Sequence, residues 1–230
     1  MSRPIAVRGK IVLAVLFLAF PVCAFASQTD AAVSIYGAFS GTTTSGAQST
    51  NAQTPANAAG GMIELRHLVH PWLGYEATYS FNRANQNYTN QLFLPCPTGS
   101  GNCPDILGSS ISANAHEITG DWVFSLKLLN LHPFAVVGAG VLIDVPTGGN
   151  YAVYYPSSSS LLSSSPATST AVKPVFVYGA GLDWGLLPHL GLRFQYRGNV
   201  SRAAALTSVV QSTNAFMNTS EPMIGAYFRF

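Results

Sequence analysis

Three observations on this 230-residue chain predict an all-β fold, an eight-stranded antiparallel up-and-down β-barrel. Eight segments alternate apolar and polar residues, the connections between them alternate between short and long, and the charges gather on one face of the segments while the other stays apolar. Composition supports this. Hydrophobic residues make up 48% of the chain and charged residues 9%, against about 25% charged in an ordinary soluble domain. Yet 21 Gly, 14 Pro and long Ser, Thr and Asn stretches break the apolar content into short pieces, and no uninterrupted apolar run of about 20 residues occurs. A helical membrane bundle is therefore excluded, whereas short strands with one face in lipid reconcile high hydrophobicity with short apolar runs.

The chain opens with Arg3, Arg8 and Lys10, the apolar run 11–20 and then Ala24-Phe25-Ala26. This is the layout of a cleaved secretory signal peptide over 1–26, leaving Ser27 first in a single mature domain, 27–230. A membrane anchor would need a longer run, and lipid attachment at Cys23 would need smaller residues than Pro21 and Val22 before it. Cleavage removes three of the 11 Lys and Arg and none of the nine acids, so the mature charge is about minus one. No basic cluster remains to neutralise a phosphate backbone, and nucleic acid is excluded as a partner. Cys96 and Cys103 stay close together in a Pro, Gly and Ser-rich stretch of an exported chain. They are expected to form a small disulfide loop.

The eight predicted strands are 31–40, 59–68, 72–81, 112–124, 133–143, 174–184, 189–198 and 221–230. Alternation is clearest in the third, where Leu73, Tyr75, Ala77, Tyr79 and Phe81 interleave with Gly74, Glu76, Thr78 and Ser80. It is equally clear in the seventh, where Leu190, Leu192, Phe194 and Tyr196 interleave with Gly191, Arg193, Gln195 and Arg197. The turns at 67–71, 125–132 and 185–188 are short, whereas 41–58, 82–111, 144–173 and 199–220 are long and rich in Ser, Thr, Asn, Gly and Pro. Short turns at one rim and long loops at the other are the pattern of an outer-membrane barrel, with short periplasmic turns, long extracellular loops and both chain ends in the periplasm. A Ser-rich linker over 156–170 between two domains would leave open sheet edges in each half.

The polar face assigns the sides. An Arg facing lipid at the bilayer midplane costs about 2 to 4 kcal/mol, so Glu64, Arg66, Glu76, Glu117, Asp121, Asp183, Arg193, Arg197 and Arg229 are placed inside as a lumen ion network. Counted from the nearest short turn they form three levels of mixed sign. Arg66, Asp183 and Arg229 lie lowest, Glu64, Glu76, Asp121 and Arg193 above them, and Glu117 with Arg197 highest. Glu76 with Arg193 is a candidate pair. A lipocalin-like soluble barrel would reverse the pattern, with apolar inside and charge outside. Trp72, Trp122 and Trp184 each stand beside a short turn, with Phe124, Phe134, Phe228 and Phe230 at similar depth. They read as a periplasmic-side aromatic girdle.

At the C-terminus, Ile224, Ala226, Phe228 and Phe230 occupy alternate positions and end in a terminal Phe. This run resembles the C-terminal strand signature of bacterial outer-membrane proteins. Together with Pro71-Trp72-Leu73-Gly74 and Gly179-Ala180-Gly181, the mature chain resembles the OmpA/OmpX-type small outer-membrane barrels over nearly its whole length. The resemblance implies a Gram-negative outer membrane, lipid and lipopolysaccharide as surroundings, and recognition of the terminal strand by the barrel assembly machinery. The chain stops at Phe230 with no peptidoglycan-binding domain after the barrel, so a cell-wall tether is not expected.

No catalytic constellation is found. Ser112, Asn114 and His116 share the outward face near the long-loop end, where some barrels resembling this one keep a lipid-A hydrolase site. Four residues of strand span about 13 Å, too far for a base to reach a serine within about 3 Å, and Glu117 points the other way. His67, His70, His132 and His189 cluster at short turns and read as interface residues rather than a metal site. Gly138-Ala139-Gly140 and Gly179-Ala180-Gly181 have no following helix and are not phosphate loops; they leave room for bulky inward neighbours or let the strand coil. The expected role is structural or surface-interactive, with no cofactor or metal, and any extracellular ligand held by the loops. The alternatives are a narrow passive pore and, third, a lipid-A-modifying membrane enzyme.

Overall fold

A computed structural model describes residues 28–46, 51–95, 102–155, 160–208 and 210–230. The predicted signal peptide and Cys96, and with it the predicted Cys96–Cys103 bond, lie outside the described residues. The regular elements of the described part are all strands: β1 (Gln28–Ser40), β2 (Thr43–Ser45), β3 (Asn51–Pro55), β4 (Ala58–His70), β5 (Leu73–Pro95), β6 (Asn102–Ser125), β7 (Leu131–Tyr155), β8 (Ser160–Ser164), β9 (Ala171–Gly185), β10 (Leu190–Arg202) and β11 (Phe216–Arg229). Eight of these close a ring in which β1, β4, β5, β6, β7, β9, β10 and β11 pair antiparallel in turn and β11 pairs back with β1. The short β2 and β3 form a hairpin against the upper part of β5, and β8 pairs with the upper part of β7.

One register row shows the geometry of closure. Asp30 faces Arg66, Arg66 faces Glu76, and Glu76 faces Asp121; the row continues through Gly138, Val177, Asn199 and Thr219 and returns to β1 at Ser40. From residue 30 to residue 40 the sheet has sheared by ten residues, and the strands of a closed barrel tilt to absorb that stagger. Eight strands enclose an interior just wide enough to be filled by side chains.

Alternation sorts the faces. Val33, Ile35, Ile63, Leu65, Tyr75, Tyr79, Ile118, Val137, Phe176, Phe194 and Ile224 stand exposed on the outside, while Glu64, Glu76, Thr78, Asp121, Arg193 and Arg197 are buried within. Trp72, Trp122, Trp184, Phe124, Phe228 and Phe230 are also exposed on the outer surface, near the short-turn end. Phe134 departs from the expected girdle. It is 4% exposed and points inward, because position 134 shares the inward parity of Gly138; the uniformly apolar run 134–143 carried no alternation from which to read this.

The long connections are largely strand. β5 and β6 stay paired up to Pro95 opposite Asn102, and β6 and β7 up to Ile106 opposite Tyr154. The predicted ends of these strands fell well short of this for a physical reason. Above Phe81 the outward positions of β5 become Arg83, Asn85, Asn87 and Thr89, all exposed, so the apolar face that revealed the strand is gone although the ladder continues. The 203–215 connection folds inward instead of standing out. Ala204, Leu206 and Val210 are buried against Tyr88, Leu107, Ile111 and Ala113 of the β5–β6 extension.

Candidate functional site

The lumen gathers the chain's ionic groups, and inward parity on eight strands places them there. Asp30, Glu64, Glu76, Glu117, Asp121, Asp144, Asp183 and Glu221 are all buried, eight of the nine acids in the chain. They surround four buried cations, Arg66, Lys173, Arg193 and Arg197. Arg66, Arg193 and Arg197 are the largest fully buried side chains of the barrel, and they divide the lumen into a lower and an upper cluster.

The lower cluster is built on two arginines. Arg193 Nε donates to Asp183 Oδ1 at 2.7 Å and its Nη2 to Asp183 Oδ2 at 2.9 Å, a two-pronged pairing across the β9–β10 register. The same guanidinium donates to Asp30 at 2.9 Å and Glu64 at 3.1 Å. Arg66 holds Glu76 through Nε at 2.8 Å and Nη2 at 2.6 Å, and donates to Asp183 at 3.1 Å. The forked, charge-assisted pairing of Arg193 with Asp183 fixes orientation as well as charge. The Phe134 ring lies 4.0 Å from the Arg66 guanidinium and 5.4 Å from that of Arg193, a favourable cation–π placement. Gly181 makes this possible, since a Cβ there would meet the Phe134 ring.

In the upper cluster Arg197 lies 3.4 Å from Glu117 and 3.5 Å from Asp121, and donates to Thr78 and Thr119 at 3.3 and 3.1 Å. Gly138 and Gly140 keep the β7 wall thin beside this cluster; a Cβ at either would run into β6 at Asp121 or Ile118. Asn199 donates to Glu117 at 2.8 Å, and Lys173 pairs with Asp144 at 2.9 Å. Above them lies the cap. The Tyr88 hydroxyl and the Gln53 amide both donate to the Ala204 carbonyl, at 2.8 and 3.0 Å. Burial holds the Tyr88 phenol above its ordinary titration range, so it remains a donor.

The geometry corrects three expectations. Distance from the short turn places Asp121 at the middle level with Glu64, Glu76 and Arg193, but it contacts Arg197 of the highest level, because a shear of ten residues offsets equal distances from the turns on different strands. Glu76 and Arg193 are 3.6 Å apart, yet Arg66 is the closer partner. Among the described residues Arg229 makes no ion pair with a carboxylate: its Nη2 lies 3.3 Å from His132 Nδ1 and its guanidinium 5.3 Å from the Tyr227 ring. It sits at the short-turn mouth, in a cavity of about 180 Å³ shared with Asp30, Arg66, Lys127, His132 and Asp183.

Asp30, Asp144, Lys173, Asn199 and Glu221 are lumenal residues that the sequence reading missed. All but Glu221 lie just outside the predicted strand limits. Extending each period by two would have found Asp30, Lys173 and Asn199, and Glu221 shares the parity of Arg229; Asp144 follows a run without alternation. Elsewhere, Ser112 donates to Asn85 at 2.7 Å and His116 bonds the Tyr79 hydroxyl at 2.9 Å, so the two have separate partners. His67 bonds Thr29, His70 stacks on Trp72 and His189 on Phe228. Among the described residues no group of three or more His, Cys, Asp or Glu is arranged to hold a metal ion.

No family model matches the chain, and no curated protein is significantly similar to it in sequence. Among solved structures it is similar to Ail, the attachment invasion locus protein of Yersinia pestis, in complex with the heparin analogue sucrose octasulfate, with 16% identity, 88% of this chain and 99% of that one covered, and a TM-score of 0.39. Neisserial surface protein A overlaps at 14% identity, covering 89% and 97%, with a TM-score of 0.42. The outer membrane protein OprG from Pseudomonas aeruginosa overlaps at 11% identity, covering 88% and 95%, with a TM-score of 0.47. Overlaps this distant carry nothing about ligand or activity.

Proposed function

We propose that the chain spans the bacterial outer membrane as a closed, non-conducting barrel whose working surface is its long-loop end. Support for the membrane comes from the exposed outer belt of Val, Ile, Leu, Phe and Tyr, which suits lipid and would be a severe liability in water. In this reading lipopolysaccharide and phospholipid surround the belt, Trp72, Trp122 and Trp184 sit at the periplasmic interface, and the assembly machinery reads Ile224, Ala226, Phe228 and Phe230. The role is structural or surface-interactive rather than catalytic.

The observation that carries the closed reading is the lumen itself, crossed by fully buried Arg66, Arg193 and Arg197 and lidded by Tyr88, Ala204 and Leu206. Surface contacts then fall to the raised β5–β6–β7 wall, whose exposed Asn85, Asn87 and Thr89 suit an uncharged, hydrogen-bonding partner better than a polyanion. Single-channel recording of the refolded protein in planar bilayers tests the reading: no sustained openings are expected, and stable openings of nanosiemens size would restore the narrow pore. Protease shaving of whole cells is expected to cut the long-loop end and spare the strands; cleavage only after permeabilisation would invert the topology.

A further inference from the structure

Counted as ionised, the buried acids of the upper lumen outnumber its cations. Glu117, Asp121, Asp144 and Glu221 are buried there with only Lys173 and Arg197, two charges short of neutrality. Buried charge without a partner is strongly disfavoured. The deficit is concentrated at Glu221. This residue is 3% exposed, no ion pair reaches it among the described residues, and its Oε2 is buried without a hydrogen-bond partner. Across the β10–β11 register it faces Arg197, whose Nη1 and Nη2 are engaged with Glu117, Asp121, Thr78 and Thr119 while its Nε is buried without a hydrogen-bond partner.

A second feature, independent of the acids, points into the same space. Asn199 is 4% exposed and donates one amide hydrogen to Glu117 Oε2, but its Oδ1 is buried without a partner. Glu117, Asn199 and Glu221 line one cavity of about 60 Å³, with the Ser201 and Thr219 hydroxyl-bearing side chains beside them. A single water needs about 10–15 Å³ of such volume, so there is room for an ion with a few waters. Asp144 and Lys173 line the same cavity but are paired with each other at 2.9 Å, which leaves the carboxylates of Glu117 and Glu221, the Asn199 carbonyl and hydroxyls as its oxygen donors. That set suits a hard cation. A divalent ion would supply the two missing charges at once, where two monovalent ions would have to share so small a space.

We propose that the upper lumen is a binding site for one hard divalent cation, held by Glu221, Glu117 and the Asn199 carbonyl. The lower cluster makes no comparable site, because each of its acids has an arginine within bonding distance. Held in place, the ion would tie β6, β10 and β11 together across the lumen, beneath the Tyr88–Ala204 cap.

The test uses the full chain refolded into detergent micelles free of lipopolysaccharide, either in calcium or in EDTA. Native mass spectrometry is expected to find one calcium per wild-type chain after exchange into metal-free buffer and none per Glu221→Gln chain. The stability order should cross over. In EDTA, Glu221→Gln should denature at a higher temperature than wild type, because it removes an uncompensated buried charge; in calcium, wild type should be the more stable, since ligand binding favours the folded state. Absence of calcium from the wild-type chain would overturn the site. So would retention of calcium by Glu221→Gln, or an infrared carbonyl band of a protonated carboxyl group in wild type that Glu221→Gln removes, which would show that a proton takes the cation's place. If Glu221→Gln fails to fold, Asn199→Ala serves in the same measurements, with weakened calcium retention expected and unchanged retention counting against the site.

Discussion

Arg66 and Glu76 face each other directly across the β4–β5 register and approach to 2.6 Å with both side chains almost wholly buried. Removing one member of such a pair leaves the other charge uncompensated and costs about 3 to 5 kcal/mol. Glu76→Gln should therefore lower the temperature at which the folded band converts on SDS gels. A double-mutant cycle of Glu76→Gln with Arg66→Met should show stronger coupling than the same cycle with Arg193→Met, because Arg193 is 3.6 Å from Glu76 and committed elsewhere. Equal coupling in the two cycles would refute the assignment of partners.

Gly181 and Phe134 are the next test. The ring occupies the space that a side chain at 181 would need, and it covers Arg66 at 4.0 Å. Gly181→Val should destabilise the barrel by about 1 to 3 kcal/mol through overpacking, measured by urea unfolding in lipid vesicles. Phe134→Leu in the same chain should recover part of that loss. A Gly181→Val barrel as stable as wild type would show that the ring is free to move away.

The cap predicts a local effect. Tyr88→Phe deletes one of two donors to the Ala204 carbonyl, worth about 0.5 to 1.5 kcal/mol for a typical hydrogen bond. Residues 203–215 should become more susceptible to limited proteolysis and exchange their amide hydrogens faster, with the lower barrel unchanged. Protection equal to wild type would mean that Leu206, Val210 and Ile111 hold the cap by themselves.

At the short-turn end, Leu129 has a φ of 56° and is almost wholly exposed. The left-handed region costs a residue with a Cβ roughly 1 to 2 kcal/mol, and an exposed leucine recovers little by packing. Leu129→Gly should raise the unfolding midpoint, and Leu129→Asn should do so to a smaller degree. A lower midpoint in both variants would mean that the leucine packs against lipid or a partner strongly enough to outweigh the backbone strain.

The sequence by itself determined the number of barrel strands, the face each alternating strand turns inward, and the positions of the short turns. These follow from a local property: successive side chains of a strand point to opposite faces, so Glu76 and Arg193 reveal their direction through their immediate neighbours. Tertiary structure decided which inward groups meet. The stagger accumulates around eight strands to ten residues, which brings Asp121 to Arg197 and leaves Arg229 beside His132. It also decided what stands above the exposed apolar belt. There the outer face of β5 turns polar at Arg83, Asn85 and Asn87, alternation disappears from the sequence, and only packing of Leu206 and Val210 against Tyr88 and Ile111 makes a lid from residues that read as a loop.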